Sequence, residues 1–355
     1  MRVGLIAPPF LAVPPVLYGG TELVIDVLAR GLVEAGHEVR LFTVGDSTCP
    51  VPRRWWFAHG ATPIGLGEAE VTQVTAAYAA LSDVDIIHDH TLVGPLAFAG
   101  RVQAPVVVTC HSRFSAELSP AYAQIGQRAL VVAISQAQRD SAPSVPVAAV
   151  IHHGLDLVQY EAGCGDGDYL LFLARMCADK GPHHAIRIAR AAGRRLIVVA
   201  KMREAAEVAF FRSEVEPLLG PDVEIVAELS APERIRLLQG ASALLNPIQW
   251  PEPFGLTMIE AMACGTPVLT LRYGAAPEIV TDGVTGFLRQ VPEDLVACVD
   301  QLDCLDRSKC RDEVERRFSM RRMTDDYLAV YTRALQERES GTCGRPGGPR
   351  DAGAT

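Results

Sequence analysis

Residues 1–44 read MRVGLIAPPF LAVPPVLYGG TELVIDVLAR GLVEAGHEVR LFTV, and their alternation decides the fold. A strand-like apolar run at 3–7 gives way to a loop carrying Pro8, Pro9, Pro14, Pro15 and the pair Gly19-Gly20. Apolar residues then recur at Leu23, Val24, Val27, Leu28, Gly31, Leu32 and Ala35, the spacing of a helix with one buried face. Gly36 stops that helix and 38–44 reads as the next strand. A strand-loop-helix-strand unit of this kind predicts parallel pairing, because parallel neighbours need a long crossover. Further buried strands are predicted at 85–88, 105–110 and 130–134, so residues 1–152 form one doubly wound α/β domain.

A polar, glycine-containing stretch at Cys164-Gly165-Asp166-Gly167-Asp168 marks a change of composition, after which the alternation restarts. Strands are predicted at 169–173, 195–199, 223–226, 243–246 and 267–270, with helices at 182–192, 205–219, 232–240 and 257–264. The second domain is placed at 153–322, followed by a helix at 323–338 that packs back toward the first domain. Residues 339–355 lack apolar periodicity and are expected to be disordered. Two such domains in series leave a cleft, and open α/β sheets bind ligands at the carboxyl ends of their strands.

Composition narrows the function. The chain has 355 residues, 49% of them hydrophobic and 21% charged, a balance suited to packed cores. A formal net charge of −9 without a basic block argues against a polyanion partner such as nucleic acid. No apolar run approaches the roughly 18 residues that span a bilayer, and the start lacks a signal-peptide pattern, so a cytoplasmic location is expected. The nine cysteines contain no C-x-x-C pair, and Cys298, Cys304 and Cys310 would face different ways on one helix. Free thiols are therefore expected. A zinc site joining cysteines to His88 and His90, or to His152 and His153, is disfavoured because ligand spacing in such sites is tighter. No metal is expected.

The chemistry-bearing segment is Trp250-Pro251-Glu252-Pro253-Phe254-Gly255-Leu256-Thr257-Met258-Ile259-Glu260, which runs on to Gly265-Thr266-Pro267. Flanking prolines put Glu252 on a loop, while Gly255 onward opens a helix whose unpaired N–H groups suit a phosphate. Glu260 lies more than a turn inside that helix, where it can accept from a ribose diol. Glu252 can reach the polar groups of whatever the phosphate carries. A second cluster, Leu173-Ala174-Arg175-Met176-Cys177-Ala178-Asp179-Lys180-Gly181, follows an apolar strand. Arg175 and Lys180 offer two cations for a pyrophosphate, and Lys180 is one of only three lysines in the chain. Gly19-Gly20 does not extend to G-x-G-x-x-G, so a nicotinamide or flavin site has little support.

The two glutamates, seven residues apart inside this string, resemble the signature of the family 4 retaining glycosyltransferases of GT-B fold. The resemblance runs from Gly19-Gly20-Thr21 to Asp282-Gly283-Val284-Thr285-Gly286-Phe287 and Arg317-Phe318-Ser319. It implies two Rossmann-like domains facing across a cleft, with a nucleotide-sugar donor held by the second and an acceptor by the first. Arg175, Lys180, Glu252 and His111 are then the implied catalytic residues. Gly19, Gly20, Arg175, Lys180, Glu252, Phe254, Gly255, Leu256, Thr257 and Glu260 are the implied donor contacts. His111, with Asp89 and His90, is the acceptor-side candidate, since each follows a predicted strand at the cleft. The implied reaction retains anomeric configuration without cofactor or metal, and a UDP- or GDP-sugar is the expected donor. A small metabolite or natural product is the expected acceptor. A nucleotide-sugar epimerase and a non-catalytic nucleotide-sugar binder remain the alternatives.

Three features depart from that pattern or stand outside it. Ala174 stands where the family commonly has glycine. Ile151-His152-His153-Gly154-Leu155-Asp156 resembles an interdomain segment that often reads Pro-Asn-Gly-Val-Asp, and its two histidines depart from it. Pro52-Arg53-Arg54-Trp55-Trp56-Phe57 joins two guanidinium groups to three aromatics, a packed loop or edge strand that also allows peripheral membrane contact.

Overall fold

The computed structural model describes residues 1–340. Strands β1 (Arg2–Ile6), β2 (Glu38–Thr43), β3 (Arg53–Trp55), β4 (Ile86–Asp89), β5 (Val106–Thr109), β6 (Leu130–Ala133) and β7 (Val147–Val150) form a seven-stranded sheet in the order β3-β2-β1-β4-β5-β6-β7. Strands β8 (Tyr169–Arg175), β9 (Arg195–Lys201), β10 (Val223–Val226), β11 (Ala243–Asn246), β12 (Val268–Leu271) and β13 (Gly286–Arg289) form a six-stranded sheet in the order β10-β9-β8-β11-β12-β13. The strand pairs are parallel in both. The order reverses beside β1 in one sheet and beside β8 in the other. At such switch points neighbouring loops diverge and leave a crevice at the carboxyl ends of the strands. The loop after β1 and the loop after β8 both start there.

Strands β7 and β13 go beyond the sequence reading, and β3 decides between its two alternatives for 52–57 in favour of an edge strand. β3 lies within the Arg-Arg-Trp-Trp patch as a three-residue edge strand, and its Trp55 and the following Trp56 are 52% and 62% exposed. The helix predicted over 205–219 ends at Phe210 and continues as a widened turn, Phe211–Val215, then a tight one, Glu216–Leu218. Pro217 lacks the N–H that a continuing helix needs.

Each sheet is buried on both faces. One covering layer comes from far along the chain. The helix Met320–Glu339 lays Met323, Tyr327, Val330, Tyr331 and Ala334 into the core formed by Val3, Leu5 and the helix Gly20–Glu34. Close approach is possible because position 31 has no side chain: a Cβ on Gly31 would stand 2.1 Å from Thr324 Oγ1. The helix begins three residues before the predicted 323, since the Ser319 hydroxyl accepts from the Arg322 N–H as an N-cap. It runs through Glu339, while residues 341–355 of the expected disordered tail lie outside the described residues.

The chain passes between the domains twice, and the two passages touch. Leu155 N–H donates to Phe318 O and Met320 N–H to Leu155 O, both at 2.8 Å. Arg322 donates to the carbonyls of His152 and His153 at 2.7 and 2.9 Å.

Candidate active site between the two domains

A cavity of about 440 Å³ opens where the two sheets present their carboxyl ends. From the first domain come Pro14, Pro15, Tyr18, Gly19, Gly20 and His111; from the second come Lys180, Arg234, Glu252, Phe254, Gly255 and Glu260. Leu256 and Thr257 also line it. The domains approach closely here, since a Cβ on Gly20 would lie 3.1 Å from Leu256 Cδ1.

Lys180 and Glu252 reach the cavity from different loops fastened together. Gln249 N–H donates to Asp179 O at 2.7 Å, and Gly181, at φ 73°, leaves room for the Pro247 carbonyl, which a Cβ would meet at 2.3 Å. Lys180 Nζ forms a short ion pair with Glu252 Oε2, to which Trp250 Nε1 donates at 2.9 Å. The ammonium also lies 5.2 Å from the Trp250 ring centroid. The helix Leu256–Ala263 starts beside this pair, entered through Gly255 at φ 100°, a conformation that favours glycine. An ammonium and a helix N-terminus thus both line the cavity.

Glu260 is 4% exposed. Its Oε1 accepts from the Tyr160 hydroxyl at 2.9 Å and from Arg234 Nη2 at 3.4 Å, and both bonds fall on that one oxygen. Burial, followed by the Glu260 carboxylate, pushes the Tyr160 phenol well above its ordinary value.

Arg175 ends β8 in register with Lys201 and does not line the cavity. Its charge is felt at Tyr18, whose phenol is pushed up to about 12 by burial and Glu252 and pulled partly back by Arg175. Asp89 and His90, expected at the acceptor side, do not line it either. Alternation along a strand turns Asp89 away from His88 and His90. Asp89 is buried, accepts from Tyr78 Oη at 2.9 Å and from Thr91 N–H at 2.8 Å, and is pushed up to about 6 by burial. His90 lies behind His111 and hydrogen-bonds to it, Nδ1 to Nε2, at 2.8 Å.

The two departures at 152 and 153 have separate places. His152 Nε2 pairs with Glu278 Oε2 at 2.9 Å, and the same carboxylate accepts from Gln136 N–H at 2.8 Å and Ala137 N–H at 2.7 Å. Burial raises the Glu278 pKa, but these partners outweigh it and hold it below the ordinary value. Glu278 thereby clasps the second domain to the first. His153 lines the cavity, stacked on His111 with ring centroids 5.3 Å apart.

Sequence reasoning missed Tyr18, Tyr160, Arg234 and His153 as cavity residues. Tyr18 was within reach of the argument, since it precedes Gly19-Gly20. Tyr160 and Arg234 carry no local signal, because only the folded linker and the helix Ala231–Gly240 bring them to Glu260. Among the described residues no group of three or more His, Cys, Asp or Glu is arranged to hold a metal ion. No helix among them is long and apolar enough to cross a membrane.

This is the architecture of the GT-B fold: two parallel Rossmann-like domains with a cleft at their switch points. The family model for Glycosyltransferase Family 4 matches residues 18–159, and that for Glycosyl transferases group 1 matches residues 164–315. The chain therefore belongs to the GT-B glycosyltransferases of the family 4 type. Among curated relatives, D-inositol 3-phosphate glycosyltransferase of Mycolicibacterium paratuberculosis is 31% identical over 53% of this chain and 48% of its own. The chain thus spans about half the length of that relative. A crystal structure of a glycosyltransferase involved in avilamycin A biosynthesis matches with TM-score 0.68 and 25% identity over 94% of this chain and 98% of that one. HepE of Anabaena, solved with UDP-glucose, matches with TM-score 0.76 and 21% identity over 94% of this chain and 100% of that one.

Proposed function

We propose that the protein is a retaining glycosyltransferase that moves a hexose-type sugar from a nucleoside diphosphate to an acceptor hydroxyl. The observation that carries this reading is the convergence of Lys180, Glu252, Glu260 and the Leu256–Ala263 helix N-terminus on one interdomain cavity. Glu260 holds the ribose diol, the helix N-terminus and Lys180 receive the diphosphate, and Glu252 orients the sugar hydroxyls. As the glycosidic bond to the diphosphate breaks, negative charge grows on the leaving oxygen. With the donor bound, the ammonium and the backbone N–H groups face that oxygen, so the transition state gains more than the ground state. Arg175 adds its field from just outside the wall. The acceptor hydroxyl attacks from the face the diphosphate leaves, which keeps anomeric configuration, and its proton passes to the departing phosphate.

Glu252 engages Lys180. Donor binding exchanges that pair for a diphosphate on Lys180 and sugar hydroxyls on Glu252. Because Lys180, Arg175 and the helix dipole supply the positive charge, transfer proceeds without a divalent metal. The Anabaena structure with UDP-glucose favours a uridine diphosphate donor, and the walls of Pro14, Pro15 and His111 leave the acceptor to the first domain.

The test is calorimetric titration with UDP, GDP, ADP and dTDP, with and without chelator, on wild type and Glu260→Ala. Binding of one nucleotide that chelator leaves intact and the substitution weakens supports the reading. Binding that collapses with chelator overturns the metal-independent mechanism. A new sugar nucleotide formed from the donor alone replaces transfer by epimerisation.

A further inference from the structure

We infer that His90 is a positioning residue that fixes the tautomer of His111, so that His111 presents an N–H donor, from Nδ1, to a substrate oxygen in the cavity. The inference rests on the transferase reading above for the identity of that oxygen, but its geometry stands alone. β4 and β5 are neighbours in parallel register, Asp89 opposite Val108, so the residues just past their ends meet. There His90 Nδ1 and His111 Nε2 are 2.8 Å apart. The bond consumes Nε2 of the ring that lines the cavity and leaves Nδ1 as its free nitrogen.

A hydrogen bond between two imidazoles carries one proton, and burial keeps both rings neutral. His111 is pushed down to about 3 by burial, and His90 falls well below its ordinary value through burial and then the neighbouring His88, His111 and His153. One ring therefore donates and the other accepts. One observation chooses the direction. His90 Nε2 is buried and has no hydrogen-bond partner among the described residues. If His90 accepted at Nδ1, its own proton would sit on that orphaned nitrogen, and orphaned buried N–H groups are the rarer kind. If His90 donates from Nδ1, Nε2 is a bare lone pair and no N–H is stranded. This puts the shared proton on His90 and the proton of His111 on Nδ1.

His153 extends the pattern. Its Nδ1 is likewise buried without a partner, so the same reasoning puts its proton on Nε2, the remaining nitrogen of a ring that lines the cavity. The stacked pair then offers N–H donors to oxygen atoms without carrying charge. His90 itself is anchored: its ring lies 4.1 Å from that of His88, which hydrogen-bonds to Tyr331 Oη at 2.7 Å and Thr109 Oγ1 at 2.8 Å.

The experiment is long-range proton–nitrogen NMR on the full chain labelled with 15N-histidine, with His111→Gln used to assign the His111 signals. The expected result near neutral pH is a His111 ring protonated at Nδ1 and bare at Nε2. His90→Asn keeps an amide N–H near the position of Nδ1 and should preserve both that tautomer and the KM and kcat of transfer. His90→Leu should yield mixed tautomers and about a tenfold loss in kcat/KM, with UDP affinity unchanged. A wild-type His111 protonated at Nε2, or His90→Asn and His90→Leu equally impaired with the tautomer unmoved, would overturn the inference. The spectrum needs no turnover, so failure to find any transfer would count against the proposed function and leave this result standing.

Discussion

The hydroxyl of Tyr160, in the linker between the domains, donates to Glu260 Oε1 at 2.9 Å and so fixes a carboxylate on the wall of the cavity. Arg234 takes the same oxygen at 3.4 Å, which holds the carboxylate in one rotamer before any ligand arrives. Such preorganisation lowers the ordering cost of binding.

Replacing Glu260 with Ala should therefore weaken binding of the preferred nucleoside diphosphate at least tenfold, whereas Tyr160→Phe should weaken it only a few-fold and cost about 1 kcal/mol of stability. Titration calorimetry and urea denaturation separate the two effects. A double variant no weaker than Glu260→Ala alone would show that Tyr160 acts on the nucleotide through Glu260.

Lys180→Ala should lower kcat on the order of a hundredfold, the loss typical of removing one donor aimed at developing charge, while KM for the sugar nucleotide changes little. Arginine should not restore the rate, because a planar fork does not occupy the place of a compact ammonium packed against Glu252 and Trp250. Steady-state kinetics of the two variants decide this. A rise in KM at constant kcat would assign Lys180 to ground-state binding instead.

The two parallel α/β domains were legible in the sequence because buried parallel strands make apolar runs: that of β8 is unbroken from Tyr169 to Ala174, while Gly4 in β1 and Arg40 in β2 interrupt theirs only once. β7 and β13 escaped because each is a four-residue edge strand, too short for its pattern to stand out, and edge pairing shapes them more than pattern does; β3 was open between a packed loop and an edge strand because its three residues carry two arginines. Glu252, Glu260 and the glycines around them lie close in sequence, so a local motif marks them. Tyr160 and Arg234 are brought to Glu260 only by tertiary packing. His90 and Asp89 show the opposite error: adjacency to a strand end at the cleft was read as access, but the strand's alternation and the depth of His90 behind His111 decide otherwise.

The helix Met320–Glu339 should depend on the bare position at 31. A methyl group there would stand 2.1 Å from Thr324 Oγ1 and 3.1 Å from Met320 Cγ, so Gly31→Ala forces the two helices apart. Overpacking of this kind costs about 1–3 kcal/mol. Thr324→Ala removes the nearer obstacle and should recover part of the loss in the double variant. Thermal denaturation of the four proteins of this cycle gives the coupling, and additive losses would mean that the helices do not meet at this pair.

Glu22, in the first turn of the helix Gly20–Glu34, is 5% exposed, and burial pushes its carboxyl up to about 7 although its own backbone N–H acts the other way. The unfolded chain releases this proton near the ordinary value of 4.5, so between the two values the folded state holds a proton that the unfolded state has lost. The resulting stability is complete below the lower value and is lost as pH rises through the upper one. Glu22→Gln cannot ionise and should escape the loss. Relative to pH 4, wild type should fall behind the variant at pH 8 by an amount on the order of 3 kcal/mol. Urea denaturation of both proteins at the two pH values isolates this carboxyl, because every other titrating group is shared. Parallel pH dependence would mean that Glu22 is solvated or paired and ionises normally within the fold.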